Sequence, residues 1–366
     1  MDIYLDRTRV ETDWACRRKR WWLTEWAGPD GIPRGLVPSR EPYYYAFGSL
    51  IHKGLEGLLR GLTTAEVVAW ARGALADWTF GSPEERQQQT CLAVGLLAGY
   101  ARAMLPDLLT THEVVWTEEE LTLETQDGPD TLHWMVRPDA VVQHHQTGAL
   151  TYLEFKTTGS VSPAWLAQWA TKPQLWLGPW ALEQTLGQPI EQTQVQGLYK
   201  GYLSKGEWRS PLVTAYEGPQ VVRGVEATGP PRWSTEWKRD WVRRSTADYP
   251  GGTEAWVEAM PLEVLKAQFP RPAPVFTNQP AFEAFLRQTT IREREIWWAR
   301  GKPPEVKENL FAQNFSECTP GFGSACPYER ACWMPQVGRD PLGSGYYRVR
   351  QPHHTQEPTT EREDQP

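Results

Sequence analysis

The sequence predicts a mixed α/β fold, a central sheet flanked by helices, and three observations carry that expectation. Glu11–Trp26 and the stretches from Gly48 to Met104 read as helices, residues 114–156 are rich in β-branched and aromatic residues, and helical character returns from Pro173. The chain has 366 residues, 40% of them hydrophobic and 23% charged, with 20 Trp. That is enough apolar material for a full core, which excludes a disordered, collagenous or coiled-coil chain. No repeat or linker interrupts residues 1–350, so one elaborated domain is expected there. Residues 351–366 are polar and Pro-punctuated and read as a disordered tail, with His353 and His354 in solvent.

Glu11–Trp26 reads as a helix that holds Cys16, the basic run Arg17-Arg18-Lys19-Arg20 and then Trp21-Trp22. A Gly/Pro-rich loop, Gly28–Pro42, follows. Gly48–Leu59 places Ile51, Leu55, Leu58 and Leu59 on one helical face with His52 beside it. Thr64–Thr79 and Pro83–Met104 read as two further helices. Val114–Thr125, Leu132–Val142 and Leu150–Lys156, separated by the turn segments QDGPD and HHQTG, read as three consecutive strands of a meander. Pro173 suits a first helical turn, and Gly178-Pro179 should kink the helix it opens. Val195–Leu203 and Pro211–Tyr216 read as another strand pair, and the remainder to Arg300 as mostly helical.

A net charge of −7 argues against a protein whose whole surface binds polyanions. It leaves room for a nucleic-acid enzyme with a local basic groove and an acidic metal site. The longest apolar stretch, Leu92–Leu105, contains Arg102 and is too short to span a bilayer, and MDIYLDRTRVETD lacks the apolar core of a signal peptide. A soluble, cytoplasmic protein with no membrane partner is the expectation.

Five cysteines in a cytosolic-looking chain argue against disulfides. Cys91, in CLAVGLLAGYARAM, reads as a small core residue. Cys16 stands near the start, whereas Cys318, Cys326 and Cys332 lie in ECTPGFGSACPYERACW, a segment that bends easily. Thiolates suit zinc or an iron–sulfur cluster. Zinc knuckles space their cysteines two to four residues apart. Here gaps of seven and five residues, with a fourth ligand from the other end of the chain, favour a cubane cluster.

The chemistry concentrates in Arg137-Pro138-Asp139 and Glu154-Phe155-Lys156. Side chains alternate along a strand, so Glu154 and Lys156 share a face and Phe155 takes the other. If the strands are neighbours, Asp139 sits close to Glu154. Two close carboxylates favour a hard divalent cation between them, and a lysine beside it can orient or activate water and stabilise a phosphoryl group under attack. Glu-x-Lys on an exposed strand is usually an ordinary ion pair. Here Leu153 and Phe155 mark the strand as buried, where such charges need a reason.

In this order, Pro138-Asp139 and Glu154-x-Lys156 resemble the PD-(D/E)XK nucleases. Gly48-Ser49-Leu50-Ile51-His52 with Glu56 resembles the histidine-bearing helix of RecB-type nuclease domains, and Gln174 resembles their glutamine motif, although the tyrosine four residues on is Gly178 here. Cys16 with Cys318, Cys326 and Cys332 is similar to the iron–sulfur clasp of the AddB nuclease and of CRISPR-associated RecB-like exonucleases, a layout shared by phage-encoded relatives. The likeness runs from about Glu11 to Trp333. It implies a restriction-endonuclease-like fold whose terminal segments are joined by a [4Fe-4S] cluster. It also implies Mg²⁺ or Mn²⁺ bound by His52, Asp139 and Glu154, with the Phe155 carbonyl available as a further ligand, water positioned or activated by Lys156, and Gln174 holding Lys156 or the scissile phosphate. Glu56 would orient His52 or simply be solvated.

The function so implied is a metal-dependent DNA exonuclease of recombination, repair or phage DNA metabolism. The alternatives are an endonuclease on the same fold, or a non-cleaving subunit that binds DNA ends or single strands for a helicase, recombination protein or integrase. Basic residues interleaved with aromatics suit a strand-binding groove. Arg17 and Arg18 beside Trp21-Trp22 fit that pattern, as do Lys238, Arg239, Arg243 and Arg244 around Trp237 and Trp241 on one helical face.

Overall fold

A computed structural model describes residues 2–28, 31–39, 43–79, 81–204, 207–217, 242–318 and 325–351. The first strand, β1 (Asp2–Asp6), runs directly into α1 (Arg7–Ala15), which Asp6 caps by accepting the Arg9 N–H at 2.9 Å. Next come α2 (Arg17–Arg20), a π-helical turn Trp21–Glu25 and the short β2 (Leu36–Pro38). Helices α3 (Tyr43–Leu59), α4 (Thr64–Ala76), α5 (Pro83–Ala103) and α6 (Leu105–Thr111) follow. Reciprocal capping boxes, Thr63 with Glu66 and Ser82 with Glu85, start α4 and α5.

The β-rich block is five strands: β3 (His112–Thr117), β4 (Leu121–Asp127), β5 (Asp130–Val136), β6 (Ala140–His144) and β7 (Leu150–Thr158). After α7 (Pro163–Ala167) and α8 (Gln174–Leu186) comes β8 (Ile190–Tyr199). One sheet has the order β3-β6-β7-β8, antiparallel except for the parallel pair β7–β8, and the other has the order β1-β5-β4, with β1 parallel to β5.

The expected three-strand meander is thus corrected. The first two stretches are each broken into two strands that serve different sheets. The breaks fall at Glu118, which has a left-handed φ of 47°, and at Pro138, which has no N–H for a ladder. Other details also differ. The helix α8 runs on through Gly178-Pro179, and Pro211–Tyr216 does not pair with β8. Instead Thr214–Glu217 pairs with Val242–Ser245.

The four-stranded sheet is covered on both faces. Ala140, Val142, Leu153 and Phe155 point into a core made with α3, α4 and α5. Val141, Leu150, Tyr152 and Val195 point the other way, onto Leu175, Ala181 and Leu182 of α8. Each large apolar side chain buried this way contributes about 1.5–3 kcal/mol. Gly54 lets α3 press against α5, since a Cβ there would meet Leu97 at 2.6 Å. Cys91 is buried in this core, as expected. The helical stretch Pro83–Thr111, which contains Leu92–Leu105, has 29 residues. By length and hydropathy it could cross a membrane, but 67% of its apolar window is buried inside the fold.

The two ends of the chain meet. Trp22 and Leu36 pack with Tyr328, Ala331, Val337 and Tyr347, and Cys326 and Cys332 border the cluster. Tyr347–Val349 pairs with β2, and the Tyr328 hydroxyl donates to the Leu36 carbonyl at 2.6 Å. Beneath this clasp Arg20, fully buried, bridges Glu25 at 3.1 Å and Glu293 at 3.0 Å, and Arg300 holds Glu25 from the other side at 2.7 Å. Glu293 and Arg300 both belong to the long helix Gln279–Arg300.

Candidate active site

A cleft of about 640 Å³ opens where α3, β7 and the first turns of α1 and α8 converge. On α3, Ser49, His52, Lys53 and Glu56 line it, residues three or four apart and therefore on one helical face. The register that sets Ala140 opposite Leu153 brings Asp139 beside Glu154, as the alternation argument required. Tyr152, Glu154 and Lys156 all face the cleft, while Phe155 turns into the core. His52, Asp139, Glu154, Lys156 and Gln174 all line this one cleft.

Two groups of contacts can be separated. In the first, His52 Nδ1 lies 3.2 Å from Asp139 Oδ1 and 3.4 Å from Glu118 Oε1. The second Asp139 oxygen accepts the Phe155 N–H at 2.6 Å. Among the described residues, His52, Glu118 and Asp139 are the one group of three such side chains whose ligating atoms lie within 4.8 Å of each other. In the second group, Glu154 Oε1 accepts from Lys156 and from Arg7 Nη1 at 3.4 Å, and Oε2 accepts from the Tyr152 hydroxyl. A carboxylate has about four acceptor positions, so one remains on Glu154. Gln174 Oε1 accepts from Arg7 Nη1 at 2.9 Å, which ties the glutamine to Glu154 through the arginine.

The electrostatics follow from this packing. Burial disfavours a charged His52, but the Asp139 carboxylate and hydrogen bonds to Asp139 and Glu118 outweigh it and push the ring up to about 10. Burial likewise raises the Glu118 carboxyl, reinforced by Asp139 and only partly offset by His52. For Asp139 burial is overcome by His52, Lys156 and the Phe155 N–H, which hold it below its usual range. The Tyr152 phenol is raised well above its ordinary value by burial and by Glu154, so it remains a proton donor.

Three residues that line the cleft escape sequence reasoning. Glu118 sits in the acidic run Glu118-Glu119-Glu120, whose only sequence signal is that run; its backbone N–H, 3.1 Å from both the Pro138 and Asp139 carbonyls, locks it to the turn that carries Asp139. Arg7 lies far away in sequence and arrives through the parallel β1–β5 pairing. Tyr152 shares its face with Glu154, a relation the strand alternation already contained. Glu56 neither orients His52 nor lies in solvent. It is buried and pairs with Lys53 at 2.8 Å and Arg60 at 3.0 Å.

The candidate strand-binding residues fare differently. Arg17 pairs with Glu295 at 2.7 Å, and Arg18 donates to the Phe311 carbonyl at 2.7 Å. Trp22 is buried in the clasp and Trp21 packs on Phe311 at 4.9 Å, so this segment braces the fold. Arg243 and Arg244 lie on a strand instead of the expected helical face, whereas Trp237, Lys238, Arg239 and Trp241 lie outside the described residues. So do residues 352–366, on which the disordered-tail expectation falls.

All four clasp cysteines are free thiols at the meeting of the chain ends. The Cys332 sulfur accepts from Trp22 Nε1 at 3.2 Å and the Cys16 sulfur from the Asn314 N–H at 3.4 Å, while the Cys326 N–H donates to the Cys318 carbonyl at 3.0 Å. Burial raises the Cys326 and Cys332 thiols. Cys318 and Cys16 add to the shift of Cys326, and Cys326 adds to that of Cys332, so the set lies within electrostatic reach of itself.

No protein-family model matches this sequence, and no curated protein matches it.

Proposed function

We propose that this chain is a metal-dependent DNA nuclease of the PD-(D/E)XK type, acting as an exonuclease. The observation that supports this most is the meeting of His52, Asp139, Glu154 and Lys156 in one cleft that Arg7, Lys53 and Arg137 also line. A floor of carboxylates and a histidine suits a hard divalent cation. The surrounding cations suit the phosphates of a nucleic acid strand. Mg²⁺ or Mn²⁺ would be held by His52, Asp139 and Glu154, with Glu118 as an added acidic ligand, and would supply an acidified water and charge neutralisation at the phosphoryl group. Lys156 orients or deprotonates the attacking water. Arg7, held by Gln174, keeps Glu154 and Lys156 in register. The test is digestion of end-labelled single- and double-stranded DNA with either metal. Metal-dependent shortening from an end supports the reading, and binding without cleavage moves it to a non-cleaving DNA-binding subunit.

The role of Glu118 has its own test. Glu118→Gln keeps the shape and removes the charge, so Mn²⁺ binding is expected to weaken by at least roughly tenfold in isothermal titration. Unchanged affinity would remove Glu118 from the ligand set.

We also propose that Cys16, Cys318, Cys326 and Cys332 hold a [4Fe-4S] cluster, their gaps of seven and five residues being wider than those of a zinc knuckle. The N–H groups directed at Cys16 and Cys332 are the kind that stabilise cluster thiolates. Protein purified without oxygen is expected to be brown. Cys326→Ser is expected to lose the iron together with several degrees of thermal stability, because ligands from both chain ends make metal binding part of folding. Colourless wild-type protein carrying one zinc per chain would replace the cluster with zinc.

A further inference from the structure

We infer that Tyr152 is a positioning residue for Glu154, and that position 178 is glycine to accommodate the Tyr152 ring; the inference rests on the nuclease reading above. Tyr152 and Glu154 stand two apart on β7 and so share a face, and both are 2% exposed. The Tyr152 hydroxyl donates to Glu154 Oε2, whereas Lys156 and Arg7 take Oε1. Pinning Oε2 fixes the rotation of the carboxylate, which decides where Oε1 and Lys156 point into the cleft.

Gly178 explains how the ring is held. Its backbone is helical, so nothing in φ requires glycine. In a helix interior glycine is less favourable than alanine, so its presence needs a packing reason. A Cβ at position 178 would stand 3.1 Å from two carbons of the Tyr152 ring and 3.2 Å from its hydroxyl oxygen. The first turns of α8 therefore set Glu154 from two sides. Gln174 acts on Oε1 through Arg7, and the bare Gly178 backbone makes room for the phenol that reaches Oε2.

The experiment compares wild type, Tyr152→Phe, Gly178→Ala and the double variant by kcat and KM for end-labelled DNA, by Mn²⁺ affinity and by thermal stability. Tyr152→Phe keeps the ring and loses the hydrogen bond. Its kcat is expected to fall about tenfold or more with KM for DNA unchanged and melting close to wild type. Gly178→Ala is expected to lower kcat in the same way. The double variant should be no worse than the poorer single, because both changes act through one contact. Wild-type kcat in Tyr152→Phe, or losses that multiply in the double variant, would overturn the inference and leave the nuclease reading standing. Wild-type protein that neither binds Mn²⁺ nor cleaves DNA would overturn both.

Discussion

Lys156→Ala is expected to abolish metal-dependent shortening of end-labelled DNA, by roughly 10²–10³-fold or more, with the fold intact. The lysine is the one cation that reaches the cleft from the same strand face as Glu154, next to the Asp139–His52 pair. Removing it leaves Glu154 with two other donors, Arg7 and Tyr152, so no buried carboxylate is abandoned and circular dichroism should be unchanged. Lys156→Arg separates two roles. Arginine keeps the charge but does not deprotonate in proteins, so activity retained in Lys156→Arg would assign an electrostatic role, and activity lost would assign proton transfer. Full activity in Lys156→Ala would reduce the lysine to a salt-bridge partner and place the chemistry elsewhere.

Arg20→Leu is expected to destabilise the protein by about 3–5 kcal/mol in guanidinium unfolding, since it leaves the buried Glu293 without its ion-pair partner. Arg20 has no solvent exposure, and its partners Glu25 and Glu293 have at most 2%. Glu25 keeps Arg300, but Glu293 loses the cation that it pairs with. The network also gives an acid dependence. Burial alone would raise the Glu25 carboxyl, but Arg300 and Arg20 outweigh it and hold it well below the ordinary range. A depressed carboxylate contributes its full stability above its unfolded value of 4.5 and loses it as pH falls below that. Glu293 is raised by burial and takes its proton first, without that loss. Unfolding free energy should therefore drop below about pH 4.5 in wild type. The drop should flatten in Glu25→Gln; equal slopes would place the acid-sensitive group elsewhere.

The centre of the site was legible in the sequence because β7 announces itself. Charged residues at 154 and 156 stand inside an apolar strand, and alternation fixes which of them share a face. His52 was legible from its place beside an apolar stripe. The division into two sheets was hidden, because periodicity marks a strand but not its partner. What decided it were Glu118 and Pro138, two local backbone facts that interrupt the ladder. Arg7 and Glu118 were hidden for a related reason. One reaches the cleft through a parallel pairing across more than a hundred residues, and the other sits on an irregular turn with no periodic signature. Within the run Arg17–Arg20, Arg20 turns inward to Glu25 and Glu293. Charge composition cannot distinguish a groove for phosphate from a brace built on internal carboxylates.

The helix α1 has one end at each of two places of interest. Arg7 opens it at the cleft, and Cys16 closes it at the clasp, its N–H returning to the Thr12 carbonyl at 2.8 Å. Nine helical residues make a rod about 14 Å long, too short and too regular to absorb much motion. A disturbance at the thiols would therefore act as a lever on the guanidinium that steadies Glu154. On the nuclease function proposed above, the rate of phosphodiester cleavage would then respond to oxidation of the distant cysteines.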